Sequence, residues 1–426
     1  MVTIVETKAP PGPSVTPQVD PRPLTRTVLA ALDRAGVRWC LVRGFAGGGD
    51  VDVLVAAEDL PRAYEVMRCH GLLRLRAYGR GTHTFFLGLD EPTGTWVEFD
   101  LVTELTFGRH SEIRTSAAWI CLLRRRREDG VWVLTPNDEF WALLLHCLLD
   151  KGGFADRHTR RLNRLAPTAS LDDPLVRAMP PWVRCAALLA DVRAQRWAAL
   201  AATSRATRRA WWWAHPARVA PAYLRAAALR LVERPLQAWS RRGASVALLG
   251  PDGSGKSTLA GGIESAFYFP VRRVYLGLWP SAQAPRGPVQ AAWQVARRPF
   301  TVWRRYLTGV WHRALGRLVV FDRYTYDALL PPRGSLTWLK RPYFRLLSRS
   351  CPRPGLVVLL DAPGELLHAR SGEYDPAHLS AERDHYARIA GRLSGVVRVD
   401  ASQPREAVLA EVVGHIWRHY QARGER

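Results

Sequence analysis

Lysine is almost missing from this chain. Of 61 basic residues in 426, only Lys8, Lys151, Lys256 and Lys340 are lysines, so the positive charge is carried by arginine. Acidic residues are also scarce: 38 against 61 leaves a formal net charge of +23. Cysteine is sparse, at six residues with no C-x-x-C pair and no His/Cys spacing suited to zinc, which excludes a disulfide scaffold and a zinc module. Cys40, Cys69, Cys121, Cys147, Cys185 and Cys351 read as free thiols in a reducing compartment. No apolar run reaches the ~18 residues of a membrane-spanning helix. The opening residues carry neither an apolar h-region nor a cleavage site, so no secretory signal is expected and the protein reads as cytoplasmic.

What is present is ordinary for globular protein: 47% apolar and 23% charged residues, in a length that suits two or three domains. The arginine excess admits two readings. It suits a polyanionic partner such as nucleic acid, anionic lipid or phosphorylated substrates, and it equally suits solvated faces enriched by a compositional bias toward Ala, Arg, Gly, Pro and Trp.

Four segments follow from the patterning. Residues 1–22 hold Pro10, Pro11, Pro13, Pro17 and Pro21 with little apolar content, and read as a disordered leader. Residues 23–136 form a small α/β unit. Helices are expected at 24–35 and 58–69, and strands at 39–43, 51–55, 73–78, 82–87 and 96–102. Residues 137–242 look like a helical bridge, with helices at 139–149, 174–189 and 223–239. Residues 243–426 alternate strand and helix, with strands at 245–249, 273–276, 318–321, 356–360 and 396–399 and a last helix at 405–420. That alternation predicts a doubly wound, mostly parallel sheet flanked by helices.

The most specific motif is Gly250-Pro251-Asp252-Gly253-Ser254-Gly255-Lys256-Ser257-Thr258, a match to G-x-x-x-x-G-K-[ST] between an apolar strand and a helix. Glycines let successive backbone N–H groups turn inward around a phosphate, and the following helix adds its positive N-terminal end. Lys256 is placed for the β/γ-phosphates and the Ser257 hydroxyl for Mg²⁺. Further along, the apolar run 318–321 ends in Asp322-Arg323-Tyr324. A charged pair at the carboxyl end of a parallel strand lies beside the ligand crevice. There Asp322 could join the metal shell and Arg323 could clamp a phosphate.

With these motifs the stretch from about 245 to 420 resembles the thymidylate kinase family. The loop carries Asp252 at the family's acidic position, and Asp322-Arg323-Tyr324 matches its D-R-Y motif. Leu360-Asp361-Ala362-Pro363-Gly364-Glu365 matches its strand end, and 369–390 looks like its lid, with Arg370, Arg383 and Tyr386. The resemblance implies a P-loop, nucleoside-monophosphate-kinase-like fold that uses ATP and Mg²⁺. Gly250, Asp252, Gly253, Ser254, Gly255, Lys256, Ser257 and Thr258 would bind ATP. Asp252, Arg323 and Tyr324 would meet the acceptor, and Ser257 and Asp322 would support the metal. Lys256, Asp322, Arg323 and Arg370 would be catalytic, with Arg370 and Arg383 closing as the lid. Gly253 stands where some members have an arginine, so the arginine would come from the lid. The chain departs from the family over 267–316, a bulky Trp-rich stretch, and at Asp327 and Pro331-Pro332-Arg333. The acceptor is therefore open: a dTMP-like nucleotide, a sugar or another phosphorylated metabolite.

A weaker pattern lies near the start. A glycine-rich step at 44–49 precedes Asp50-Val51-Asp52, whose alternation puts both acids on one strand face, and Asp100 follows on another strand with Glu98 at the same parity. Residues 24–136 thus resemble the minimal nucleotidyltransferase superfamily, which implies that Asp50, Asp52 and Asp100 would hold Mg²⁺ for nucleotidyl transfer. The run from Gly44 to Asp50 is too short for that family's helix and lacks its triphosphate-gripping serine. A strand with solvated acids, or the fold without the activity, remains the competing account.

Three functions stay in view: a phosphotransferase, a bifunctional enzyme acting on a sugar or glycan intermediate, and a nucleotide-gated scaffold on a polyanion or membrane surface. No firm nucleic-acid partner is read, and a peripheral membrane contact and a homodimer are both compatible with the composition. Arg124-Arg125-Arg126-Arg127 reads as a solvated turn rather than a phosphate site. Trp197, Trp211, Trp212, Trp213 and Trp239 read as core packing more than as a membrane-surface face. His146, His158, His215 and His312 show no ligand spacing.

Overall fold

The computed structural model describes residues 22–43, 50–75, 82–108, 111–240, 243–278, 288–331, 337–372 and 374–424. The expected leader falls outside these residues except for Arg22, as do the glycine-rich step 44–49 and Pro332-Arg333. The chain divides into two compact units, Met1–Thr93 with Val97–Leu231 and Gly94–Trp96 with Val232–Arg426.

In the first unit a seven-stranded mixed sheet runs in the order Leu73–Arg74, His83–Asp90, Thr95–Val102, Val51–Val55, Trp39–Leu41, Val131–Val133, Arg126–Glu128. Side-chain alternation splits it into two faces. Trp39, Leu41, Val51, Val53, Val55, Val97, Phe99 and Leu101 pack against helices Pro23–Arg34 and Leu60–Cys69. Cys40, Leu54 and Val102 point the other way, into a core shared with the helices that follow residue 117. The stretch expected as a bridge thus supplies the second helical layer of this unit. Helix Pro136–Leu145 is buried over nearly its whole length, and Thr135 caps it by accepting from the Asp138 N–H.

Several elements differ from expectation for local reasons. The single helix expected at 174–189 is two, Pro174–Ala178 and Cys185–Arg193, because Pro180 and Pro181 supply no N–H to a helical ladder. Helix Pro136–Leu145 continues as a π-turn, His146–Lys151, ended by the left-handed Gly152. Helices Asp156–Leu165 and Trp197–Ala214 were not expected. The first is so polar that Leu162 is its only buried side chain. The arginine run is divided: Arg124 ends helix Ala118–Arg124, while Arg126–Glu128 pairs with Val131–Val133 across Asp129-Gly130, both with positive φ as a tight Asp-Gly turn requires.

The second unit is a five-stranded parallel sheet flanked by helices. Its order is Val271–Tyr275, Leu318–Asp322, Ser245–Leu249, Leu356–Asp361, Val396–Asp400. The first strand in sequence, Ser245–Leu249, is the central one and is buried throughout. Connections leave it toward both edges, which opens a crevice at the carboxyl ends of the strands. Ala247, Leu249, Val319, Phe321, Val357 and Leu359 face a core shared with Val302, Tyr306, Tyr324 and Tyr386. Among the described residues no helix is long and apolar enough to cross a membrane.

Candidate functional site

Strand Ser245–Leu249 delivers the chain to the crevice, and Gly250 to Gly255 turn it into helix Lys256–Ala266. Gly253 has φ +83°, and a Cβ there would sit 2.4 Å from the carbonyl oxygen of Leu367, so both backbone conformation and space demand glycine. Leu367 belongs to helix Gly364–Ser371. Its first residue, Gly364, is pressed in turn against Pro376 and Ser380 of helix Pro376–Ala390, where a Cβ would meet the Ser380 hydroxyl at 2.2 Å.

Lys256 is 6% exposed and folds back into the loop. Its Nζ donates to the carbonyls of Gly250 (2.8 Å) and Pro251 (2.6 Å) and lies 3.8 Å from Asp252. Burial lowers its pKa, opposed by the nearby carboxylates. The Ser257 hydroxyl donates to Asp322 Oδ2 at 2.7 Å, tying the start of the helix to the end of strand Leu318–Asp322. The other oxygen of Asp322 is buried without a hydrogen-bond partner. Ser254 is buried, whereas Ser257 and Thr258 are exposed.

Arg323 adopts φ +69°, a left-handed conformation that costs a non-glycine residue free energy. Its guanidinium is bonded to Asp252 and lies 3.9 Å from Asp327 Oδ2. Burial works against its charge, but Asp252 and Asp327 outweigh burial and hold its pKa above the ordinary value. Asp327 is itself buried, which lifts its pKa to about 6 against the pull of Arg323 and Lys256. Tyr386 donates to Asp327 Oδ1 at 3.0 Å. The structure thus joins Lys256, Asp252, Arg323, Asp327 and Tyr386 in one chain of contacts, in which Asp327 was noted in the sequence only as a departure.

Three expected residues are placed differently. Tyr324 is fully buried in the core beside Phe321 and Tyr326, and its hydroxyl is engaged there by donating to the Pro352 carbonyl. Strand alternation would put Tyr324 on the face opposite Phe321, but the strand ends at Asp322 and the left-handed turn at Arg323 sends Tyr324 back into the core. Arg383 forms a fork with both oxygens of Asp361 (2.5 and 2.8 Å), which also takes Arg398. These arginines hold Asp361 below its usual pKa. Arg370 donates to the Ala401 carbonyl at 2.7 Å. Both lid arginines are therefore engaged at the strand ends.

No family model and no curated protein matches this chain.

The first unit carries a second charged cluster. Asp52 and Asp100 are register partners on parallel strands, on the sheet face covered by the later helices. Arg43 Nε donates to Asp52 at 2.8 Å, and His83 Nδ1 lies 2.7 Å from Asp100 Oδ2, with its Nε2 3.1 Å from the Thr106 hydroxyl. From the helical layer, His146 Nε2 comes within 3.3 Å of Arg43 while its Nδ1 meets Asp150 at 2.6 Å. Burial, then the neighbouring Asp52, raises the pKa of Asp50. Burial also raises that of Asp100, opposed by His83. Although burial disfavours its charged form, the pKa of His83 is raised by Asp100. Among the described residues no group of three His, Cys, Asp or Glu side chains is arranged to hold a metal ion. Arg43, His83 and His146 had no sequence signal, because they lie far apart in the chain and in no motif. Trp211 is buried, Trp197 packs on Phe154 and Trp212 is half-buried, while Trp213 is exposed.

Proposed function

We propose that the second unit transfers the γ-phosphoryl group of ATP to a small-molecule acceptor, in the manner of thymidylate kinase-like enzymes, with its glycine loop serving as a P-loop. The observation that carries this is the hydrogen bond from Ser257 to Asp322, which joins the loop and the D-R-Y strand end in one crevice. ATP phosphates would be cradled by the backbone of residues 250–258. Lys256 would leave two neutral carbonyls for an anionic phosphate, a stronger charge-assisted partner. The buried oxygen of Asp322 that lacks a hydrogen bond, beside Ser257, supplies hard oxygen donors that fit Mg²⁺. Mg²⁺ held there would supply neutralisation of the negative charge on the phosphates.

Arg323 would bind the acceptor's anionic group in place of Asp252, with Asp327 and Tyr386 holding it in position. Arg370 and Arg383 would exchange their present partners for the transferring group. Tyr324 has no part in this reading. The acceptor stays open between a dTMP-like nucleotide and a sugar or sugar phosphate. A screen of such acceptors with ATP and Mg²⁺ tests the proposal, with Lys256→Ala as control. Lys256-dependent product supports it, and equal turnover by the variant overturns it.

The first unit does not fit a two-metal nucleotidyltransferase centre as it stands. Arg43 engages Asp52 and His83 engages Asp100, so both carboxylates already have side-chain partners. No nucleotidyl-transfer step is assigned to it.

A further inference from the structure

Helix Pro288–Ala314 exposes one apolar face. Trp293, Phe300, Trp303, Leu307 and Trp311 are each between 43% and 70% exposed. Their spacing of seven, three, four and four residues puts them on one helix face; Pro299 interrupts the helix between Trp293 and Phe300, and the stretch beyond it, Phe300 to Trp311, forms a stripe about 16 Å long. Val302 and Tyr306, on the other side of the helix, are buried in the core, so the stripe is the outward face. Exposed aromatic stripes of this length are uncommon on soluble surfaces and mark an interaction site.

The charge around it names the partner. Arg297 and Arg304 lie on the border of the stripe and are exposed. The helix also carries Arg298, Arg305 and Arg313 and no acidic residue. From Glu264 to Asp361 the only acids between are Asp322 and Asp327, both buried in the crevice. The outer surface of this stretch is thus cationic and aromatic. A second copy would bring two arginine-rich faces together, and nucleic acid would leave the leucine and tryptophan stripe unpaired. We propose that this helix lies on an anionic phospholipid surface, with its aromatic side chains in the headgroup boundary and arginines on the phosphates. The inference is independent of the phosphoryl-transfer reading.

Flotation of the full chain with phosphatidylcholine vesicles, with and without phosphatidylglycerol, tests it without ATP. The protein is expected to float only with the anionic vesicles. Trp303→Ser/Trp311→Ser keeps every charge and should weaken binding at least about tenfold. Arg304→Gln should weaken it about fivefold at low salt. Circular dichroism of both variants should match the parent, because the altered side chains are exposed. Three results would overturn the proposal: no flotation, flotation unchanged by the tryptophan variant, which would reduce it to bulk charge, or a dimer that the tryptophan variant dissolves while vesicle binding persists.

Discussion

Two clusters of acids and cations lie in this chain, and they are built in opposite ways. In the second unit the charged groups sit at the carboxyl edge of a parallel sheet, mostly within two short sequence motifs, and one oxygen of Asp322 is buried without a hydrogen bond. In the first unit Asp52 and Asp100 lie on a sheet face that helices largely cover, and each is paired by a side chain nearby in the sheet, Arg43 and His83. An open strand edge admits a ligand at small cost. A covered sheet face must satisfy its charges internally, because unpaired buried charge is expensive. The same residue types therefore suggest a ligand site in one unit and an internal ion-pair network in the other.

That contrast can be broken or sharpened by measurement. Lys256→Ala should have the largest effect, lowering phosphoryl transfer by about 10²–10³-fold and abolishing ATP binding by calorimetry. Asp52→Asn should leave both untouched. Next, Gly253→Val sets a branched side chain against the Leu367 carbonyl at positive φ, and should cost the second unit about 2 kcal/mol or more. Hydrogen exchange should then quicken in Ser245–Leu249 and not in Val51–Val55.

The pH responses should separate as well. Asp327 has a folded pKa of about 6, above the unfolded value of about 3.9, so the native state binds its proton more tightly. The second unit should lose stability as pH rises through that window, and Asp327→Asn should flatten the loss. His83 is likewise raised, so its contribution is fully present below about pH 6.5 and is lost as pH rises through its folded pKa. His83→Gln should flatten that later change in the first unit alone, read by denaturant titration at each pH. The smallest effect is expected of Arg43→Ala, at most about 1 kcal/mol, because its pair with Asp52 is partly exposed.

Legibility in the sequence followed contiguity. The glycine loop and its strand and helix could be read because all their residues lie within 245–266, and Ser245–Leu249 was bounded correctly. The parallel sheet followed from alternation alone. Tyr324 was misplaced because a motif gives order in sequence and not the direction of a side chain after a left-handed residue. Helix Asp156–Leu165 leaves no trace in the sequence pattern, because one buried leucine makes no apolar period. The turn near Asp129-Gly130 is legible, but the strands it joins are not, because Arg126 and Arg127 fill one of them. The pairs of Arg43 with Asp52 and of His83 with Asp100 form between neighbouring strands, and only the approach of His146 to Arg43 brings the helical layer to the sheet, which no local pattern encodes.

The two close glycine approaches have a mechanical consequence. With the loop seated at Gly253 against Leu367, and Gly364 seated against the next helix, none of these three pieces can take a side chain at its contact without displacing the next. A substitution at either glycine would therefore be felt beyond its own element, from the loop through helix Gly364–Ser371 to helix Pro376–Ala390.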